Sequence, residues 1–140
     1  MDSEELNITS LKDSIKALSV SIDVFKANMS SEDIGLKNTL RSGVIQNFET
    51  AYELGWKFMK KWLEANVSPD IVSGVSRKEF YRIAHQNGLI SSVNDWWNFH
   101  NARNRTSHIY SVTTAEEVLE AAFGFLAPAQ KFAADLEKKL

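Results

Sequence analysis

The chain has 140 residues, 44% hydrophobic and 24% charged, with 16 basic against 18 acidic side chains and no cysteine. That balance excludes a strongly basic nucleic-acid coat and an acidic disordered tail, and the missing thiols exclude a disulfide scaffold and a thiolate metal centre. No apolar run approaches the ~20 residues of a membrane helix. The opening Met1-Asp2-Ser3-Glu4-Glu5 is acidic where a secretion signal is basic, so the expectation is a cytoplasmic protein with no membrane partner. No repeat or linker divides it, and residues 1–140 read as one domain.

The first segment carries Ile8, Leu11, Ile15, Leu18, Ile22, Phe25 and Met29 at alternating steps of three and four, one stripe of a helix. Asn28 to Asp33 reads as a polar loop. The second segment places Leu40, Val44, Phe48, Ala51, Gly55, Phe58 and Trp62 on a stripe that Ile45, Tyr52, Met59 and Leu63 widen. So broad an arc expects contact on two sides, from two helices of the same chain or from one helix and another subunit. Ser68-Pro69-Asp70 ends this helix near Asn66. Ser76-Arg77-Lys78-Glu79 has capping-box spacing and starts a short helix that Gly88 stops. Ser92 or Asn94 opens a fourth helix, with Asp95 in its first turn, fraying around His108 to Tyr110. Thr114-Ala115-Glu116-Glu117 is a second capping-box match and opens the last helix, which Pro128 is expected to kink. With no alternating strand pattern, the fold class is all-α, an antiparallel up-and-down bundle of four to five helices.

The window from Trp96 to Tyr110 contains His100, Arg103, Arg105 and His108 and no acidic residue. In an acidic chain it reads as a local positive island able to hold a phosphate, because arginine offers fixed bidentate donors. Histidine gives or takes a proton near neutral pH. His100, Asn104 and His108 share one helical face, with Arg103 and Ser107 beside it. His100 and His108 lie roughly 12 Å apart at ~1.5 Å rise per residue, too far for one ion, so no metal or cofactor is implied. The Arg103-to-His108 spacing by itself also fits a helix-end cap and a surface cation. For Trp96-Trp97 the pattern favours one ring in the core and one at an interface over a base-stacking platform.

Three ordered blocks narrow the reading. Arg41-Ser42-Gly43-Val44-Ile45-Gln46-Asn47-Phe48-Glu49-Thr50-Ala51-Tyr52-Glu53-Leu54-Gly55-Trp56-Lys57 is the first. Phe80-Tyr81-Arg82-Ile83-Ala84 with Gly88-Leu89-Ile90 is the second. Trp97 followed by Arg103-Asn104-Arg105-Thr106-Ser107-His108-Ile109-Tyr110 is the third. Together they resemble the nucleotidyltransferase substrate-binding proteins of the HEPN superfamily. The chain departs from the family pattern at Ser76-Arg77, where Ser-Pro-Arg is expected; the departure bears on a helix start and on no proposed catalytic group.

The resemblance implies a homodimeric bundle whose Arg-x4-His motifs, here Arg103 and His108, face each other across a cleft and cleave RNA without a metal. Asn104 takes the polar position after the arginine, and Ser107 supports it. The resemblance further implies a toxin whose partner, a minimal nucleotidyltransferase acting as antitoxin, adenylylates Tyr110. The alternative it leaves open is a non-catalytic nucleotide- or substrate-binding subunit of a two-component nucleotidyltransferase. Glu49 and Tyr52 read first as a solvated carboxylate and a core ring, and second as groups that orient the motif.

Overall fold

The computed structural model describes residues 7–108 and 111–140. Among them are five α-helices and no strand: α1 (Thr9–Ala27), α2 (Ile34–Asn66), α3 (Arg77–Gln86), α4 (Val93–Arg105) and α5 (Val112–Lys138), with a 3₁₀ turn at Thr106–His108 after α4. α1 and α2 form an antiparallel hairpin, α5 packs against both, α4 packs on α5 and α2, and α3 packs on α4.

The stripe read for α1 buries Leu11, Ile15, Leu18 and Ile22. The helix stops at Ala27, where the polar loop read from Asn28 begins, and Met29, the last member of the stripe, lies beyond it, exposed. α2 starts at Ile34, one and a half turns before the first stripe residue, because the Asp33 carboxylate caps it by accepting from Leu36 N–H. That first turn covers little core, and Ile34 stands exposed. The breadth of α2's apolar arc has an internal cause, since α1, α4 and α5 all pack against this one helix.

The centre of the core is Trp96, which is 2% exposed. Phe99, Phe125 and Phe132 meet its ring edge-on, at centroid distances of 5.9, 5.3 and 5.8 Å. A Cβ added at Gly55 would sit 3.4 Å from two carbons of that ring, so the missing side chain is what lets α2 approach it. Trp97, the adjacent residue, points away and stays partly exposed.

Caps set most of the remaining boundaries. Ser76 accepts from Glu79 N–H and Ser92 from Asp95 N–H, as their spacing predicts. Gly88 follows α3 with φ +75°, the left-handed conformation that ends a helix. For α5 the expected cap at Thr114 is displaced by one turn. Ser111 Oγ accepts from Thr114 N–H, and the helix begins at Val112. α5 then runs unbroken through Pro128 to Lys138. The ring removes one intrahelical donor without ending the helix.

Candidate active site on helix α4

α4 carries His100, Arg103 and Asn104 along the face turned to α2 and α3. Asp95 in its first turn and Arg103 and Arg105 in its last turn agree with the helix dipole. Two polar clusters result, one around each of the first two residues.

Arg103 is held from three sides. Its Nη1 donates to Thr106 Oγ1 at 2.9 Å and lies 3.3 Å from Glu49 Oε2. Its Nε lies 3.2 Å from Glu53 Oε1 as an ion pair whose N–H is not aligned on the carboxylate. Glu49 and Glu53 are one helical turn apart on α2, so both reach the same guanidinium. Arg105 pairs with Glu117 at 2.9 Å. The positive island of the sequence is therefore neutralised in space by α2 and α5: the window holds no acid, but its neighbours do. Glu49 is correspondingly not the free, solvated carboxylate first expected.

Arg103, Glu49 and Glu53 line an open groove of ≈ 840 Å³ along α2. Arg41, Ser42, Gln46 and Thr50 supply its other polar walls, and Ile45, Leu54 and Ala115 its apolar ones. Two arginines and two glutamates leave its side-chain charge at zero.

The second cluster centres on the Tyr52 hydroxyl. It touches the Tyr81 hydroxyl in a short hydrogen bond, His100 Nδ1 at 2.9 Å, and Arg77 Nη1, which donates to it at 3.0 Å. The Asn104 amide nitrogen lies 3.2 Å from His100 Nε2, and Arg77 Nη1 lies 3.4 Å from His100 Nδ1. The Arg77 guanidinium carbon lies over the Trp56 ring, 4.0 Å from its centroid, and Trp56 Nε1 donates to Glu53 Oε2 at 3.2 Å. Glu53 thus joins the two clusters. The Trp97 ring stacks on His100 at 5.4 Å.

Titration follows this geometry. Burial, and secondarily the Arg77 charge, holds His100 below the usual histidine value, with Glu53 acting in the opposite sense. Burial pushes Tyr52 and Tyr81 above the usual phenol range, so both hydroxyls are neutral donors and acceptors.

The family model for proteins described as nucleotidyltransferase substrate binding protein like matches residues 6–138. The chain belongs to that family. It is 35% identical over 92 residues to the probable ribonuclease HepT of Haemophilus influenzae, a match spanning 65% of this chain and 63% of that relative. The solved structure of HI0074 from Haemophilus influenzae matches with a TM-score of 0.87 at 27% identity, covering 94% of this chain and 99% of that one. That structure is titled as the fold of a substrate binding domain of a nucleotidyltransferase.

Of the site residues expected from this family's motif, Arg103 and Asn104 stand on α4 and Ser107 in the 3₁₀ turn, where it is exposed. The His108 backbone closes that turn; its side chain and the whole of Tyr110 lie outside the described residues. Among the described residues no three His, Asp or Glu side chains converge as a metal shell requires, and no helix is long and apolar enough to cross a membrane. The sequence reading missed Glu53, Tyr81 and Arg77. The sequence position of Arg77 marks only a helix start, yet its guanidinium reaches the His100 imidazole, with Nη1 3.4 Å from Nδ1. The one available signal was periodicity: Glu49, Glu53 and Trp56 recur on a single face of α2.

Proposed function

We propose that this chain is a metal-independent endoribonuclease, the toxin of a toxin–antitoxin pair, acting in the cytoplasm as a homodimer. The observation that carries the reading is Arg103, fixed by Glu49 and Glu53 at the wall of an 840 Å³ groove and followed five residues later by His108. Support also comes from the similarity to a probable ribonuclease.

In the proposed reaction the ribose 2′-oxygen attacks its own phosphodiester phosphorus. The 2′-proton passes to one histidine, and the leaving 5′-oxygen receives a proton from another. Arg103 stabilises the phosphorane oxygens. Two copies of Arg103 and His108 at a dimer seam supply both proton transfers, with Asn104 and Ser107 as supporting polar groups. The groove on α2 is the surface assigned to the second subunit. The dimer is expected to bury at least ~1,200 Å² in total, and light scattering measures it.

Regulation is proposed at Tyr110 by a minimal nucleotidyltransferase partner. The phenol oxygen attacks the α-phosphorus of ATP, pyrophosphate leaves, and the phenol proton is lost to solvent. The added anion would compete with RNA for Arg103. Intact-mass measurement after incubation with the partner and Mg-ATP should record one AMP group per chain, absent in Tyr110→Phe. Unchanged mass with activity still suppressed would replace modification by steric cover.

The second reading is a non-catalytic nucleotide- or substrate-binding subunit of a two-component nucleotidyltransferase. The full neutralisation of Arg103 favours it, as does the description of HI0074. Incubating the purified chain with RNA separates the two: wild type cleaves and His108→Ala does not, whereas a binding subunit leaves RNA intact in both.

A further inference from the structure

We infer that Arg77, with Lys78 beside it, is a phosphate-holding subsite for single-stranded RNA, separate from the Arg103 motif; the inference rests on the ribonuclease reading above. The two arginines at the α2–α4 seam are in opposite electrostatic states. Arg103 lies against two carboxylates, so that group of three carries −1. Arg77 has no carboxylate within 4.0 Å among the described residues; its polar neighbours are the Tyr52 and Tyr81 hydroxyls and His100 Nδ1. A partly buried guanidinium normally acquires an acidic partner, because desolvating a lone cation is costly. Here the chain supplies orientation without neutralisation.

That orientation is rigid. The guanidinium carbon lies over the Trp56 ring, 4.0 Å from its centroid, and Nη1 is pinned by a tyrosine whose hydroxyl is already engaged with Tyr81. A planar, preoriented, uncompensated arginine is the arrangement that takes a phosphodiester. Lys78, the next residue, places its ammonium 5.7 Å from the centroid of Trp97 on α4, which brings a second cation to the same region. Trp97, His100 and Asn104 line the side of α4 that leads toward the motif, about 10 Å of rise from Trp97 to Asn104 at ~1.5 Å per residue. A strand following that line has one phosphodiester at Arg103 for cleavage and another at Arg77 for grip.

The test uses RNA binding by the full chain in a His108→Ala background, followed by fluorescence anisotropy of a labelled single-stranded oligoribonucleotide across a salt series. Arg77→Gln should weaken binding at least about tenfold, as loss of a charge-assisted contact does. It should also lower the slope of log K against log salt by roughly 0.7, the counterion release of one single-strand phosphate contact. Arg77→Lys should retain the slope. Lys78→Gln, at a position outside the tyrosine cluster, should reduce the slope without altering thermal unfolding. A merely structural role for Arg77 changes stability and leaves the slope unmoved in both Gln variants. That result overturns the subsite while leaving the ribonuclease reading intact. Absence of RNA binding by the His108→Ala parent and of cleavage by wild type would remove the reading and the subsite together.

Discussion

Tyr52→Phe removes a single oxygen atom, but that atom is the hub of the buried polar cluster. The Tyr81 hydroxyl, at a residue with 0% exposure, loses its shortest hydrogen bond and keeps only the Arg77 guanidinium nearby; a buried polar group left short of partners costs about 1–3 kcal/mol. Arg77 and His100 also lose a partner, but both are partly exposed and water replaces much of the contact. The sum is a loss of about 2–3 kcal/mol, or about 4–12 °C in Tm at ~2–4 °C per kcal/mol. Tyr81→Phe then removes the stranded hydroxyl itself. The double variant should therefore be little worse than Tyr52→Phe alone, with a coupling of at least about 1 kcal/mol between the two sites. Urea unfolding followed by circular dichroism, at fixed protein concentration and with unchanged m, measures all three variants. A Tyr52→Phe loss under about 0.5 kcal/mol, or additive single-variant losses, would refute the hub.

His100 gives a pH dependence of stability with a definite sign. Its folded-state pKa is depressed, so the unfolded chain takes up the proton first as pH falls below about 6.5; stability held above that pH should decline by up to ~1.4 kcal/mol per unit below it, and His100→Gln should flatten the decline in urea titrations between pH 8 and 5. Glu49→Gln with Glu53→Gln should cost no more than about 1–2 kcal/mol of stability, since both carboxylates are about one-third exposed. In steady-state cleavage assays the same pair should lower kcat at least about tenfold without raising KM, because Arg103 is released from its geometry while repulsion of RNA is relieved. Ser111→Ala should lose about 1 kcal/mol in thermal unfolding and Thr114→Ala under half of that, as the observed cap requires.

The helices were legible because their apolar residues repeat at three- and four-residue steps, and the caps at Ser76 and Ser92 because each precedes such a run. The start of α5 was not. Ser111-Val112-Thr113-Thr114 offers three hydroxyls within four residues, and the β-branched pair at Val112 and Thr113 resembles the frayed end of the preceding helix. The start of α2 was legible only from its loop side, since the polar run Asn28 to Asp33 ends where the helix begins while Ile34 and Leu36 precede the core-facing stripe. At the site, Arg103 could be picked out by residue type and spacing. Its charge state could not, because the carboxylates that neutralise it lie some fifty residues earlier and meet it only through the packing of α2 on α4. The same holds for Arg77, which meets no carboxylate among the described residues, a property of three helices together. The family resemblance named the motif ends, but it carried no information about the tyrosine cluster that positions the neighbouring imidazole.

The central claim is that Arg103 and His108 cleave RNA by transesterification without a metal. Its most direct measurement is the end group left on RNA after incubation with the purified chain in excess chelator. The account predicts undiminished cleavage leaving a 2′,3′-cyclic phosphate, abolished in both Arg103→Ala and His108→Ala while their unfolding transitions remain cooperative. RNA left intact by the wild-type chain, or cleavage that persists in either variant, would contradict it.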